Sequence, residues 1–173
     1  NKHKLFKKIF TWDDTSIDNK KYIKINYSHK IPENLNFNIE KKKKLCVMVN
    51  SNKYYNHPLE LYSERIHAIQ WFEKNHPEDF DLYGFGWDRY IFKGIFKKLN
   101  KIEFLTKFLA PKYRCWKFPA PASKVLPEYK FAICYENARN IPGYITEKIF
   151  NCFFAGCVPI YLGAPNITDY IPE

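Results

Sequence analysis

The sequence contains one segment, residues 130–173, whose apolar runs and breakers predict a complete strand-helix-strand unit. Residues 130–135 form an apolar run with polar residues directly after it, which is typical of a short buried strand. A loop containing Pro142 and Gly143 follows, and the next apolar run suits a buried helix that Gly156 ends. The segment therefore predicts an α/β fold.

Residues 157–161 complete this unit as a second strand, because they form a short β-branched run between Gly156 and Gly163. Two strands joined by a helix form a parallel β-α-β unit with a right-handed crossover. Such units bind ligands at the carboxyl ends of their strands. We therefore expect a ligand site where Glu136 and Asn137 follow the first strand.

The first turn of the predicted helix, which starts after Thr146, contains Lys148. This is an unusual place for a cation, because the positive end of the helix dipole favours acidic residues. A bound phosphate group would explain the lysine, since phosphate accepts hydrogen bonds from both the free N–H groups and the ammonium. The alternative is a lysine whose side chain extends into solvent. Glu147 is less informative, because an acidic residue is expected in a first turn.

The chain is strongly basic, with 28 lysine and arginine residues against 18 aspartate and glutamate residues and a net charge of +10. A polyanion, an acidic surface or a phosphorylated ligand is therefore a natural partner, and composition does not choose among them. Lysine runs such as residues 41–44 are typical of solvated faces or loops. The hydrophobic content of 46% excludes a disordered chain and predicts one globular domain.

The five cysteines lie mostly within apolar runs, where a free thiol behaves as a small hydrophobe. Their odd number and their spacing predict neither a disulfide framework nor a zinc site, and a reducing, cytoplasmic setting fits them best. The basic amino terminus lacks the apolar core of a signal peptide, and no apolar run is long enough to span a bilayer. We therefore expect a chain that is neither secreted nor membrane-spanning.

The rest of the chain predicts two further buried strands and one amphipathic helix. Residues 45–49 are apolar between lysines and a polar loop, and residues 80–84 end in a glycine that allows a tight turn. Between them, apolar residues recur at three- and four-residue steps over residues 59–74, which predicts a helix that starts after Pro58. We also expect two short β-like runs, at residues 9–12 and 22–27. A loop or crossover is expected at residues 91–108, and an extended stretch at residues 118–122.

Two stretches resemble the donor-binding signature of the α1,3/α1,4-fucosyltransferases, glycosyltransferase family 10. They are CYEN at residues 134–137 and GYITEKIFNCFFAGCVPIYLGAPNITDYIP at residues 143–172. The second match is long and specific. Weaker similarity extends the resemblance to nearly all of the chain, at residues 9–12, 64–65, 82–84 and 86–87.

This resemblance implies a Rossmann-like parallel sheet with flanking helices. Such a domain would be the carboxy-terminal, donor-binding half of a GT-B type glycosyltransferase. We accordingly predict that residues 1–44 form a leading, inter-domain segment. Residues 45–173 are predicted to form the domain that binds the nucleotide sugar GDP-fucose, shortened at both ends.

The resemblance also implies roles for five residues. Lys148 and Arg65 would neutralise the departing diphosphate, so that no metal and no other cofactor is required. Glu147 would lie near the sugar, where a carboxylate accepts hydroxyl hydrogen bonds and stabilises positive charge on the ring. Asn137 and Tyr144 would hydrogen-bond ribose or sugar hydroxyls. From the residues alone, Arg65 is more often an exposed ion-pairing residue, Asn137 a turn residue and Tyr144 a packed aromatic.

In function, the resemblance implies an inverting transfer of L-fucose from GDP-fucose to a GlcNAc-containing glycan in an α1,3 or α1,4 linkage. The general base for the acceptor hydroxyl would belong to an amino-terminal acceptor domain. We therefore predict that this chain alone binds GDP-fucose or GDP and transfers slowly or not at all. The resemblance implies no nucleic-acid partner. It places a bacterial full-length protein in the cytoplasm or peripherally on the cytoplasmic membrane, and a eukaryotic one in the Golgi.

Two other functions remain open. A basic, non-enzymatic module that binds RNA or another polyanion is suggested by the net charge and by aromatic residues close to basic ones, at Tyr54, Tyr55, Trp71 and Trp116. A glycosyltransferase that uses another nucleotide sugar is also possible, because a lysine and an arginine recognise a diphosphate whatever base or sugar it carries.

Overall fold

A computed structural model of the protein describes residues 2–33, 35 and 38–172. Residues 1, 34, 36 and 37 of the predicted leading segment and residue 173 of the predicted donor-binding domain therefore lie outside the described residues. The strands are β1 (Ile9–Thr11), β2 (Tyr22–Lys24), β3 (Lys44–Val49), β4 (Phe80–Tyr83), β5 (Tyr129–Tyr135) and β6 (Val158–Leu162). The α-helices are α1 (Tyr62–Asn75), α2 (Glu103–Phe108), α3 (Ala122–Val125) and α4 (Glu147–Phe154).

The main sheet has four strands in the order β4-β3-β5-β6, and every neighbouring pair in it is parallel. A separate small sheet pairs β1 with β2, again in parallel. The Rossmann-like parallel α/β fold that the sequence predicts is therefore confirmed. All carboxyl ends of the main strands meet at one edge of the sheet, which is where such folds bind ligands.

Both faces of the central strands β3 and β5 are buried, because apolar side chains alternate between the faces along them. In β3, Cys46 and Met48 pack into the cluster that includes the inner side of α1, and Val47 packs into the cluster that includes α4. In β5, Ile133 joins the first cluster and Cys134 joins the second. The helices thus lie on opposite faces of the sheet and leave its carboxyl edge open.

The predicted strand-helix-strand unit is present as β5, α4 and β6, and its two strands pair in parallel. The helix buries Ile149 and Cys152 against the sheet. It ends at Phe154, and Gly156 follows with a φ of +62°. This left-handed conformation strains other residues but not glycine, which explains why the helix stops where the sequence predicts.

The first turn predicted for α1 is wrong, because the helix begins at Tyr62 and not at Leu59. The chain before it is bound to the loop after β5, where Leu61 N donates to Asn137 O at 3.1 Å. The Glu60 carboxylate then accepts a hydrogen bond from Tyr62 N at 2.6 Å and so caps the start of the helix. Pairing with a distant loop therefore overrides the local helical pattern.

One residue of the lysine run at 41–44 contradicts the prediction of a solvated face. Lys42 is buried, and its ammonium donates to Pro127 O at 3.0 Å and to Ala155 O at 2.7 Å. Ala155 directly follows α4, so the cation lies where the negative end of the helix dipole favours it. The buried ammonium of Lys42 thus stabilises the packing of α4, whereas the neighbouring lysines of the run are exposed.

Residues 91–108, predicted as a loop or crossover, contain two short helices: a 3₁₀-helix at Gly94–Lys101 and α2. Their basic and apolar residues show no clean period because each helix is shorter than the window in which a period can be recognised. In the part of the chain that the structure describes, no helix has the length and apolar character needed to cross a membrane.

The cysteines agree with the sequence prediction, since all five are free and buried. Burial raises the pKa of the Cys46 thiol to about 11 and that of the Cys157 thiol to about 12. The Cys46 and Cys157 thiols are therefore protonated at neutral pH, and they contribute to packing rather than to nucleophilic chemistry.

The small sheet is attached to the main domain by Asp14. Its carboxylate accepts hydrogen bonds from Lys24 Nζ, from Asn166 Nδ2 at 3.0 Å and from the Tyr170 hydroxyl at 2.7 Å. Its backbone N–H donates to Pro142 O at 3.2 Å. The amino-terminal residues therefore contact the loop before α4 and the turn after β6. The boundary predicted between residues 1–44 and residues 45–173 stays a prediction.

Candidate functional site

A cavity of about 300 Å³ opens at the carboxyl edge of the main sheet, between the ends of β3 and β5 and the start of α4. Four of the five residues predicted for the donor site line it, namely Arg65, Asn137, Glu147 and Lys148. The fifth, Tyr144, is adjacent, and its hydroxyl accepts a hydrogen bond from Asn137 Nδ2 at 3.4 Å. The fold thus brings together predicted residues from α1, from the loop after β5 and from the first turn of α4.

Lys148 has a protein partner that the sequence interpretation omits. Its ammonium donates to Glu136 Oε2 at 3.0 Å and to Thr146 Oγ1 at 2.8 Å, so it does not simply extend into solvent. The Glu136 side chain is 0% exposed and also accepts hydrogen bonds from Thr146 N and from the Thr146 hydroxyl, each at 2.7 Å. The buried charge is therefore compensated, and it fixes Lys148 against the start of α4.

The start of α4 is open to an anion. Thr146 occupies the N-cap position, but its side chain makes no capping bond to the helix; its hydroxyl instead donates to Glu136 and accepts from Lys148 Nζ. The first N–H groups of a helix have no partner within it and carry the positive end of its dipole. Lys148 uses two of its three ammonium hydrogens on Glu136 and Thr146, which leaves one for a ligand bound there.

Arg65 is only 3% exposed, so its interpretation as a surface ion-pairing residue is wrong. Its Nη2 donates to Tyr135 O at 2.8 Å, to Glu136 O at 2.7 Å and to Asn137 Oδ1 at 3.0 Å. Among the described residues, none accepts a hydrogen bond from its buried Nε. Burial lowers the pKa of the guanidinium, and the nearby Tyr62 and Glu136 oppose this effect. Arg65 therefore holds the end of β5 in place and keeps a positive charge beside the cavity.

Tyr144 is held beside the cavity by residues of the amino-terminal segment. Its ring lies 4.7 Å from the ring of Trp12 and 6.3 Å from the ring of Tyr27, measured between centroids. Burial raises the pKa of the Tyr144 phenol, so the group is a neutral hydrogen-bonding hydroxyl at physiological pH. The small sheet thus positions one of the predicted site residues.

Sequence reasoning missed several polar residues of the cavity. Lys53, Asn50 and Ser51 follow β3 and line the cavity, as Asn137 does after β5. These three residues could have been found from the sequence, because parallel strands present their ligand-binding residues at one common edge of the sheet. Glu136, which follows β5 directly, carried the same signal, and its role as the partner of Lys148 becomes visible only in three dimensions.

The prediction of a metal-free site overlooked one sequence feature, the triplet Asp79-Phe80-Asp81, which has the Asp-x-Asp spacing often associated with metal binding in glycosyltransferases. The structure places Asp81 away from the cavity. Its carboxylate binds Lys44 at 2.7 Å and Lys117 at 3.2 Å and accepts a hydrogen bond from the Tyr129 hydroxyl at 2.6 Å. Lys44 and Tyr129 begin β3 and β5, so this triplet lies toward the amino edge of the sheet.

Gly143 lies where the small sheet meets the loop before α4, and replacing it with alanine is expected to lower the free energy of unfolding by about 2–4 kcal/mol. Its φ is +76°, and an added Cβ would lie 2.4 Å from Trp12 O and 2.6 Å from Asp14 Oδ2. Because Trp12 packs on Tyr144, we also expect weaker ligand binding at the cavity. Urea denaturation measures the first effect.

Gly94→Ala is the matched control for this prediction. Gly94 also has a positive φ, +56°, but an added Cβ would meet no atom within 4 Å. The control variant should therefore show only the cost of the backbone conformation, about 1 kcal/mol. Equal losses of stability in the two variants would contradict the close approach of Trp12 and Asp14 to Gly143.

A parallel α/β sheet with a cavity at the carboxyl ends of its strands is the arrangement in which α/β folds bind their ligands. Two solved structures share this fold, an α1,3-fucosyltransferase and an α1,3-fucosyltransferase with GDP, with TM-scores of 0.54 and 0.56 and 16% sequence identity. Each similarity covers 96% of this chain and 48% and 50% of those chains, respectively. The fold is that of one half of a GT-B type glycosyltransferase.

The sequence matches the family described as glycosyltransferase family 10 (fucosyltransferase) C-term over residues 39–173. The chain therefore belongs to this family, as the resemblance of its motifs predicts. The match includes the 3₁₀-helix at Ile39–Lys41, the whole main sheet and all residues that line the cavity.

Individual relatives share a short, well-matched region with the chain. The chain is 40% identical over 52 residues to the α-(1,3)-fucosyltransferase FucT of Helicobacter pylori. It is 49% identical over 50 residues to α-(1,3)-fucosyltransferase B of Drosophila melanogaster. It is also 45% identical over 50 residues to GDP-fucose protein O-fucosyltransferase 3 of Gallus gallus. These regions cover 29–30% of this chain and 10–11% of the relatives.

Proposed function

We propose that this chain is the donor-binding portion of an inverting fucosyltransferase that transfers L-fucose from GDP-fucose to a GlcNAc-containing glycan. The observation that carries the proposal is the cavity at the carboxyl edge of the sheet, where Arg65 and Lys148 meet the uncapped start of α4. Membership of a fucosyltransferase family and the fold shared with a GDP-bound α1,3-fucosyltransferase support GDP-fucose as the donor.

The cations would act on the leaving group. When the bond between the sugar and the diphosphate breaks, negative charge grows on the diphosphate oxygens. Lys148, held by Glu136, and Arg65, held by the end of β5, are fixed before the ligand arrives, so little reorganisation is needed at the moment of reaction. These two side chains would take the part that a metal ion plays in other glycosyl transfers.

The remaining predicted residues would orient the sugar and the nucleoside. Glu147 is the one carboxylate among the described residues that line the cavity, and its side chain is 56% exposed. It can accept hydrogen bonds from sugar hydroxyls and stabilise positive charge that develops on the ring. Asn137 and Tyr144, already hydrogen-bonded to each other, offer further polar groups to ribose or sugar hydroxyls.

We infer that the general base for the acceptor hydroxyl belongs to an amino-terminal acceptor domain of the full-length protein, as the family resemblance implies. The solved neighbours are about twice as long as the region they share with this chain. We therefore expect GDP binding by the chain alone but little or no fucosylation of an N-acetyllactosamine or lacto-N-biose acceptor. Rapid transfer by the chain alone would contradict this assignment of the base.

A thermal-shift titration with GDP, GMP and UDP tests the proposed function. Micromolar GDP should raise the melting temperature, GMP should be much weaker because it lacks the second phosphate, and UDP should be weaker than GDP. Equal effects of GDP and UDP would favour a different nucleotide sugar. Equal binding of any oligonucleotide, lost as salt is raised, would favour the polyanion-binding alternative.

A further inference from the structure

A second surface combines exposed apolar side chains with lysines, over residues 93–112 between β4 and α3; we call it the Phe-Lys segment. It contains the 3₁₀-helix at Gly94–Lys101, which is in contact with α2. The segment contains six lysines and one glutamate, a net charge of +5. Half of the net charge of the whole chain therefore lies in this short stretch.

The apolar side chains of the Phe-Lys segment are unusually exposed. Ile95 is 89% exposed, Phe104 is 77% exposed and Phe108 is 73% exposed. Three further large apolar residues of the segment are also exposed, namely Phe96, Ile102 and Leu109. Scattered single apolar residues are normal on a protein surface, but six within one short segment mark an interaction surface.

The geometry of α2 shows that this exposure is organised. Thr106 is buried and Leu105 is half-buried, so one side of the helix faces the domain. Phe104 and Phe108 lie one turn apart on the outer side and stack on each other, with ring centroids 6.0 Å apart and ring planes inclined by 20°. The outer face of α2 therefore presents a continuous aromatic surface to its surroundings.

The charges of the Phe-Lys segment are almost entirely positive. The one acidic residue, Glu103, is already paired with Lys107 at 3.0 Å and with Arg89 at 3.3 Å. Within the described ranges, the ammonium groups of Lys97, Lys98, Lys101 and Lys112 have no ion-pair partner. Exposed aromatic rings among unpaired lysines are complementary to a surface that is apolar inside and negatively charged outside.

We propose that the Phe-Lys segment binds the surface of a membrane that contains anionic lipids, with Phe104, Phe108 and Ile95 entering the headgroup region and the lysines contacting lipid phosphates. The helices are too short to span a bilayer and need only lie in its interface. The Phe-Lys segment contributes no residue to the lining of the cavity, so membrane binding here does not depend on the proposed function.

Vesicle co-sedimentation of the chain tests the proposal, with vesicles of phosphatidylcholine alone and of phosphatidylcholine mixed with phosphatidylglycerol. We expect binding to the mixed vesicles and little binding to the neutral ones. The variant Lys97→Gln/Lys98→Gln/Lys101→Gln should bind the mixed vesicles about 100-fold more weakly, because each lysine near an anionic surface contributes about fivefold. The variant Phe104→Ser/Phe108→Ser should lose at least about tenfold.

Matched controls separate this surface from a general effect of charge or of apolar content. Lys7→Gln/Lys8→Gln/Lys20→Gln removes three exposed lysines elsewhere, and Ile25→Ser/Ile31→Ser removes two exposed apolar residues elsewhere. Both controls should bind the mixed vesicles nearly as well as the unaltered chain. Melting temperatures of all variants should stay close to that of the unaltered chain, because the altered side chains are exposed.

Three results would overturn the proposal. The first is an absence of binding to the mixed vesicles, and the second is equal loss of binding in the control variants. The third is a combination of two observations. Binding to the mixed vesicles would survive Phe104→Ser/Phe108→Ser but be abolished by the lysine substitutions, and the same lysine substitutions would also abolish binding to single-stranded RNA. That pattern would identify a purely electrostatic surface for polyanions.

Discussion

Replacing Lys148 with alanine is expected to weaken GDP binding roughly 10- to 100-fold, because a charge-assisted hydrogen bond to phosphate is lost at a site with little exposure to solvent. The side chain of Lys148 is only 18% exposed and is already oriented by Glu136 and Thr146. Isothermal titration calorimetry measures the change. Lys74→Ala, at an exposed lysine of the last turn of α1, is the control and should leave GDP affinity unchanged.

The same substitution is also expected to reduce stability, by about 1–3 kcal/mol, because the fully buried Glu136 loses its cationic partner. The double variant Lys148→Ala/Glu136→Gln separates the two effects. A neutral glutamine can keep the hydrogen bonds to Thr146 without a buried charge, so part of the stability should return. GDP affinity should remain as low as in Lys148→Ala. If GDP affinity returned with stability, Lys148 would act only through the fold.

Arg65→Met is expected to lower the free energy of unfolding by about 2–4 kcal/mol. Methionine fills much of the space of the arginine side chain, but it leaves Tyr135 O, Glu136 O and Asn137 Oδ1 without their donor. Because these atoms define the edge of the cavity, GDP affinity should also fall by at least about tenfold. Urea denaturation and calorimetry measure the two effects.

Arg89→Met is the matched control for this substitution. Arg89 is an exposed arginine whose guanidinium pairs with Glu103 at 3.3 Å, so its loss should cost no more than about 1 kcal/mol. Similar losses of stability in the two variants would show that the buried hydrogen bonds of Arg65 contribute little. Unchanged GDP affinity in Arg65→Met would remove this residue from the proposed site.

The parts of the fold that the sequence predicts correctly are those fixed by local patterns. The unit β5-α4-β6 depends on apolar runs, on Thr146 at the helix start and on Gly156 at its end, and all of these lie within one segment. The start of α1 was mispredicted because it depends on Asn137, which is far away in the sequence. Lys42 was misassigned for the same reason, since its partners Pro127 and Ala155 belong to other elements.

The candidate site was predictable to a similar extent. Local pattern identified Lys148 as a cation in an unusual position, and the resemblance to a known family supplied the roles of the other residues. The residues alone could not show that Arg65 is buried, because its neighbours Tyr135 and Glu136 are brought to it by the sheet. Nor could they show that Glu136 already holds Lys148, since this contact depends on the geometry of the loop before α4.

A crystal structure of the chain with GDP would show directly where the diphosphate binds. We expect the β-phosphate to lie at the start of α4, with an oxygen about 2.7–2.9 Å from Lys148 Nζ, and Glu136 to keep its hydrogen bonds to Thr146. Arg65 would remain at the end of β5, beside the diphosphate. Diphosphate bound on the exposed lysines of the Phe-Lys segment, or on the exposed Lys41, Lys43 and Lys44, with the cavity at Arg65 and Lys148 empty, would contradict this expectation.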